Sequence, residues 1–371
     1  MNNKKYWITA CLAALSLGFV QKSEPTLKDL FQQDFYVGAA LNKDHVSGRD
    51  RQGIALIKKQ FNTISPENLL KWGPVHPKPG KYNFKPADDY VAFGEKNNML
   101  VVGHTLVWHQ QTPAWVFEDD QGHPISREAL LKRLQDHITT VVGRYKGRIQ
   151  GWDVVNEAIN DENGGLRKTK WLEILGEDYI RKAFEYAHQA DPKAELYYND
   201  YSIYRPDKRA GVIRLVQNLQ AQGIKVHAIG MQGHYGLKEP SLDQVEASIV
   251  AFAKLGVKVN FSELDIDVLP NPSHRQGADL VEKFAAGDKF NIYTGGLPDS
   301  VQQQLSRRYA DLFTLFRKHR DKIDRITFWG VTDDNSWLNN WPIRGRTSYP
   351  MLFDRRYQSK PAYQAVLNTA R

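Results

Sequence analysis

Cysteine is almost absent from this chain. Cys11 is the only one in 371 residues, and it lies in a segment expected to be removed on export. The mature protein is therefore read as having no disulfide, no thiolate nucleophile and no sulfur ligand for a metal. Beyond the first twenty residues there is no apolar run long enough to cross a bilayer. Glycine and proline, at 27 and 17 residues, stay well below the level of a low-complexity chain. From Asp29 onward no Ser/Gly/Pro-rich linker and no internal repeat divides the sequence. Blocks of one charge are missing as well. The formal net charge is +8, or +6 without Lys4 and Lys5, but lysine and arginine are interleaved with aspartate and glutamate along the whole length. The densest cluster is Arg205 to Arg209. A nucleic-acid binder gathers its positive excess on one face or tail; here the charge reads as a solvated surface, and no nucleic-acid partner is expected.

What remains is a globular composition, 41% hydrophobic and 25% charged. At this length about three quarters of the unfolded surface can be buried, so a core needs no covalent staple. Aromatic residues are abundant, with nine Trp, 17 Tyr and 16 Phe. The N-terminus reads as an address. Two lysines precede the nearly uncharged stretch Tyr6–Val20, the layout of a secretory signal over residues 1–21. The competing reading is an N-terminal membrane anchor, for which the run is short. Cys11 superficially suggests lipidation, but the apolar run continues past it. Export to the periplasm, cell surface or medium is expected, with no membrane attachment after signal removal.

Residues 25–371 are expected to form one domain. Short β-rich apolar runs alternate with longer segments of helical periodicity. The strand candidates are Phe35–Ala40, Phe61–Ser65, Met99–Thr105, Ile149–Asn156, Ala194–Asn199, Ala228–Gly233, Lys258–Leu264 and Arg325–Val331. Runs such as VVGHTLV are apolar on both alternations, as parallel strands covered on both faces must be. The clearest helix is Ser126–Tyr145, with Leu130, Leu134, Ile138, Val141, Val142 and Tyr145 on one stripe behind a serine cap. Trp171–Gln189, Pro206–Gln222, Leu242–Leu255 and Val301–Arg320 follow the same pattern. Eight such units predict an α/β fold, a single (β/α)8 TIM barrel. Leu269–Pro298, rich in Gly, Pro and Asn, is read as a long loop over the barrel mouth.

In such a barrel the strand C-termini form the active face, and here they carry residues unsuited to a core. The fourth strand ends Trp152-Asp-Val-Val-Asn156-Glu157. The seventh ends Asn260-Phe-Ser-Glu263-Leu-Asp265, and the sixth Gln232-Gly-His234. The third carries His104, Trp108 and His109, the second runs into Glu67, Asn68 and Lys71, and the eighth gives Trp329 with Trp337 beyond. A single buried glutamate would read as a rim salt bridge. Two, on different strands and ringed by amides, imidazoles and indoles, fit cleavage of a glycosidic bond. That reaction needs one protonated carboxyl for the leaving oxygen and one ionised carboxylate to attack the anomeric carbon or activate water. His104 and His109, with Asp265 and Asp267, raise the alternative of a metal, but a strand and its exit would not turn both imidazoles onto one ion. No metal and no cofactor are expected.

Five stretches carry a specific resemblance: Glu67-Asn-Leu-Leu-Lys-Trp72, Gly103-His-Thr-Leu-Val-Trp-His109, Trp152-Asp-Val-Val-Asn-Glu157, Met231-Gln-Gly-His-Tyr235 and Gly256-Val-Lys-Val-Asn-Phe-Ser-Glu-Leu-Asp-Ile266. In these, and in Phe328-Trp-Gly-Val-Thr-Asp333 and Lys360-Pro-Ala-Tyr363, the chain resembles glycoside hydrolase family 10, the endo-β-1,4-xylanases, from about Leu27 to Leu367. It departs from the family in having Leu70 where methionine is common. It also lacks the cysteine pair some members carry near the last barrel units, which removes one clamp on the eighth. The resemblance implies Glu157 as general acid/base and Glu263 as nucleophile, with net retention. It implies His234 and Asp265 as a pair supporting the nucleophile, and Asn156 on the sugar 2-hydroxyl. Glu67, Asn68, Lys71, His104, Trp108 and Gln232 become further substrate-binding residues, walled by Trp329 and Trp337. Trp72 and Trp152 are left to the core, and Tyr201 and Asn199 are placed under the aglycone side. The like charge of Glu263 is expected to raise the Glu157 pKa. The implied partner is xylan or a xylo-oligosaccharide, and the implied state a monomer. The rivals are a retaining barrel glycanase acting on another β-1,4-glycan such as glucan, and a non-catalytic glycan-binding barrel, which the presence of both glutamates disfavours.

Overall fold

The computed structural model describes residues 25–271 and 288–371. The expected signal segment and the middle of the 269–298 loop lie outside these residues. The strands are β1 (Tyr36–Leu41), β2 (Thr63–Pro66), β3 (Leu100–Val107), β4 (Gly151–Asn156), β5 (Glu195–Asp200), β6 (Ala228–Met231), β7 (His234–Gly236), β8 (Lys258–Asp267) and β9 (Ile323–Phe328). Every pairing between them is parallel. β9 pairs β1, and β6 pairs β8, so the sheet closes on itself. The three-residue β7 is the upper end of the sixth stave. Gly233, at φ +83°, turns the chain out of β6, and His234–Gly236 then pair only with Asp265–Asp267. Eight staves with helices between them make the (β/α)8 barrel.

The expected strands are all present, shifted by a few residues at their ends. β4 is buried at every position, because helices cover its outer face and its inner face fills the barrel. The helix behind Ser126 spans Arg127–Arg144, and Ser126 Oγ accepts from Ala129 N at 3.2 Å. All six residues of its predicted stripe are fully buried, each contributing about 1.5–3 kcal/mol relative to exposure. The single helix expected over Trp171–Gln189 is instead two, Lys170–Leu175 and Asp178–Ala190. The break follows from Gly176, which caps the first at φ +68°. Arg51–Gln60 and Lys85–Lys96 complete the first two βα units, and Pro361–Thr369 packs on Asp299–Lys318 to close the last.

Trp72 and Trp152 are core residues, 2% and 0% exposed. The eighth unit has a clamp without cysteine. Lys360 Nζ lies 3.0 Å from Asp333 Oδ2 in a buried ion pair, and Met351 N donates to Asp333 Oδ1 at 2.8 Å. Burial raises the Asp333 carboxyl to about 6 against the pull of Lys360. Among the described residues no helix is long and apolar enough to cross a membrane.

Candidate active site

Glu157 follows the last residue of β4 and stands at φ +59°. A non-glycine residue there stores about 1–3 kcal/mol of strain, which its surroundings must hold. Its N–H donates to Asn199 O at 2.9 Å, and its carbonyl accepts from Arg167 Nε at 3.1 Å. Glu263 sits inside β8, its N–H donating to Gln232 O at 2.8 Å. Strand ends of the fourth, fifth, sixth and seventh staves are thus tied to one another around the two carboxylates.

The two carboxyl groups live in opposite environments. Glu157 is 3% exposed. Its Oε1 accepts from Gln232 Nε2 at 2.9 Å and Asn156 Nδ2 at 3.3 Å, and its Oε2 from Trp108 Nε1 at 2.8 Å. Burial pushes its pKa up, and the hydrogen bonds from Gln232 and Trp108 with the charge of Arg167 offset that only in part. The repulsion from Glu263 also acts upward, but it ranks below all of these. The dominant cause is therefore desolvation, not the like charge expected from sequence.

Glu263 is 5% exposed. Burial alone would raise its pKa, but the hydrogen bond from His234 and the charges of His104, His234 and Lys71 bring it below the ordinary carboxylate value. His234 Nε2 lies 3.3 Å from Glu263 Oε2, and His234 Nδ1 3.0 Å from Asp265 Oδ1. Trp337 Nε1 in turn donates to Asp265 Oδ2 at 2.7 Å. Desolvation works against a charged imidazole here, yet Asp265 and then Glu263 raise the His234 pKa to about 10. The register of β7 on β8, with His234 opposite Asp265, brings the pair together. Glu263 Oε1 accepts from Asn199 Nδ2 at 2.8 Å.

Glu67, Asn68, Lys71, His104, Trp108, Asn156, Gln232, His234, Trp329 and Trp337 line one cleft of about 560 Å³ with both glutamates. Asp265 stands behind His234. Lys71 Nζ donates to Asn68 Oδ1 at 3.0 Å and lies 4.9 Å from the Trp108 ring centre. Burial pulls its pKa down, opposed by Glu263, Glu67 and Glu157. Burial raises that of Glu67, against Lys71 and Asn68. His104 Nδ1 is 2.9 Å from Asp153 Oδ2. Trp337 stacks on Trp341 at 4.7 Å and tilts over His234 at 4.8 Å. Among the described residues no group of three or more His, Cys, Asp or Glu side chains is placed to hold a metal ion.

Two placements differ from the sequence reading. Asn199, expected under the aglycone side, reaches the nucleophile: its amide bridges Asn156 Oδ1 (3.0 Å) and Glu263 Oε1. Tyr201 is only 2% exposed, holding Arg167 Nη2 at 2.7 Å and bonded to Asp161. Two residues were not foreseen. Gln111 lines the cleft beyond Trp108 and donates to Asn68 Oδ1 at 3.4 Å. Arg167 reaches the Glu157 carbonyl from a loop. The only signal for Gln111 was its place in the polar exit of β3; Arg167 gave none.

Comparison with known proteins agrees with this geometry. Residues 26–369 match the model of glycosyl hydrolase family 10. The chain is 44% identical over 356 residues to endo-1,4-beta-xylanase A of Xylanibacter ruminicola, covering 96% of each. It superposes with a TM-score of 0.89 on a family 10 endoxylanase from a sugarcane soil metagenome, at 45% identity over 92% of this chain and 99% of that one. With an intracellular xylanase of Thermoanaerobacterium saccharolyticum, a mutant solved with xylotriose, the TM-score is 0.80 at 37% identity, over 93% and 99% of the two chains. A profile match across nearly the whole barrel, on top of two unlike carboxylates at its C-terminal face, places this chain in glycosyl hydrolase family 10.

Proposed function

We propose that the protein is an exported, monomeric endo-1,4-β-xylanase that hydrolyses internal β-1,4-xylosidic bonds of xylan with net retention. Glu263 is the nucleophile and Glu157 the acid/base. The observation that carries this reading is the divergence of two buried carboxyls in one cleft, Glu157 raised and Glu263 lowered. Such divergence assigns the proton donor and the ionised partner. Asn156, Asn199 and Gln232 link the two carboxylates through side-chain amides, and a retaining pair requires them roughly 5–5.5 Å apart. The relatives named as xylanases, and the xylotriose complex of one of them, support the substrate class.

In the first step Glu263 attacks the anomeric carbon while Glu157 protonates the departing oxygen. In the second, Glu157 takes a proton from water as it displaces Glu263. Asn156 supports the 2-hydroxyl, and Trp329 and Trp337 wall the ring. The test is NMR analysis of products from defined xylo-oligosaccharides. Initial release of the β-anomer from internal cleavage is the expected result; initial α-anomer would overturn the retaining assignment. Comparable rates on carboxymethyl cellulose or glucomannan would overturn the substrate.

A further inference from the structure

The opposite end of the barrel holds a second polar cavity, an open mouth of about 960 Å³ at the N-terminal ends of the strands. Tyr36, Arg325 and Asn260 stand in one row across it. Tyr36 pairs Arg325 in the register of β1 on β9, and Arg325 pairs Asn260 in that of β9 on β8, so their side chains leave the sheet on the same side. Arg325 is 3% exposed, its buried Nε has no hydrogen-bond partner among the described residues, and its guanidinium lies 5.3 Å from the Tyr197 ring centre. Asn260 Oδ1 is likewise buried without a partner.

The acids around this mouth are already engaged. Asp34 pairs with Arg317 at 2.8 Å and Arg320 at 3.4 Å, Asp324 with Lys258 at 3.1 Å, and Glu195 accepts from Tyr197 OH at 2.6 Å. A buried guanidinium has five donors in a fork that matches a carboxylate. A buried donor left unmade costs free energy, and among the described residues none supplies an acceptor to Arg325 Nε. At its rim Tyr36 is 46% exposed, one of two large hydrophobic side chains left open among the described residues. An open aromatic beside a buried cation offers a ring face and a charge at adjacent positions.

We propose that this lower mouth binds a carboxylate carried on a sugar ring, Arg325 gripping the carboxylate, Asn260 accepting a hydroxyl and Tyr36 covering the ring. The site lies away from the catalytic cleft and its occupancy is read without turnover, so it stands or falls independently of the hydrolysis above. Isothermal titration of the full chain with D-glucuronate tests it, with acetate, inorganic phosphate and D-glucose as comparison ligands. One saturable site is expected, at least tenfold tighter for glucuronate than for any of the others. Arg325→Met should weaken it tenfold or more and Tyr36→Ala severalfold, both with unchanged xylan hydrolysis. Should Arg325→Met fold poorly, Arg325→Lys, which keeps the charge but loses the fork, takes its place. Absence of saturable binding would overturn the proposal. So would equal affinity for acetate or phosphate, indifference to Tyr36→Ala, or displacement by xylotriose, which would put the ligand in the upper cleft.

Discussion

Replacing His234 by glutamine isolates what holds the nucleophile ionised. Glutamine keeps an N–H near Glu263 but removes the imidazolium. The His234 pKa is raised from 6.5 to about 10 although burial, its largest single influence, pulls it down, so attraction to Asp265 and Glu263 together exceeds the roughly 5 kcal/mol that the net rise represents. Asp265 contributes more of it than Glu263, and a charged hydrogen bond such as that between His234 and Glu263 is worth about 1.5–3 kcal/mol. Interaction between two titrating groups is reciprocal, and removing the imidazolium should therefore raise the Glu263 pKa by about one to two pH units. The kcat/KM of the free enzyme falls on the acid side as its essential base takes up a proton. In His234→Gln that acid limb should move upward by the same amount. Stability gives a second readout. Because the folded pKa of His234 lies above the unfolded one, its contribution is complete below pH 6.5 and is lost as pH rises through about 10. The wild-type protein should lose Tm across that window, and the variant should not. A pH–rate profile from pH 3 to 9 on a xylo-oligosaccharide, with thermal melts carried on through the His234 pKa of about 10, decides it. An acid limb that stays in place while the rate drops equally at every pH would refute the reasoning and leave His234 a packing residue.

Glu263→Ala should lose nearly all turnover while still binding xylotriose, measured by single-turnover assay and calorimetry; undiminished hydrolysis would remove Glu263 from the mechanism. Trp108→Phe deletes one charge-assisted donor to Glu157, a bond of about 1.5–3 kcal/mol, so the basic limb of kcat/KM should move upward by about one to two pH units. Lys360→Met leaves Asp333 buried and unpaired, and denaturant unfolding should show a loss of about 3–5 kcal/mol. His76 and His137 are buried against Trp72, with burial lowering His76 to about 4 and His137 well below its ordinary value. Folded values below the unfolded 6.5 make stability fall as pH drops from 6.5 towards 4, and the Tm slope over that range should flatten in His76→Phe.

The barrel was legible because its strands are apolar on both faces and its longest helix carries a cap and an unbroken stripe. Helix breaks were less so. Gly176 sits inside a periodic run, and only its left-handed backbone shows that the run is two helices. Gly233 likewise separates His234 from β6, a step that alternation cannot reveal. The carboxylates stood out because Glu157 and Glu263 are too costly at buried strand ends to be there without purpose. Asn199 stands opposite Asn156 in the register of β5 on β4, and the same rule would have put it beside the pair. Arg167 acts on a backbone carbonyl from a loop, and spacing carries no trace of such a contact.

The rank of the influences on Glu157 bears on how it can serve as acid and then base. If repulsion from Glu263 kept it protonated, esterifying Glu263 would by itself release the proton. Repulsion is the least of its upward influences, and burial the greatest. Loss of the Glu263 charge therefore lowers the Glu157 pKa only modestly, and a larger fall requires water. The leaving sugar provides that opening. Its departure hydrates the Glu157 side of the cleft, where Gln232 and Trp108 already favour the ionised form. Proton donation and proton abstraction are then separated by the exit of the aglycone more than by the chemistry at Glu263. An aryl xyloside whose phenol leaves unprotonated should bypass the first role of Glu157 but not the second. In Glu157→Ala such a substrate should give a burst of phenol followed by slow turnover, and added azide, which needs no general base, should restore the steady rate.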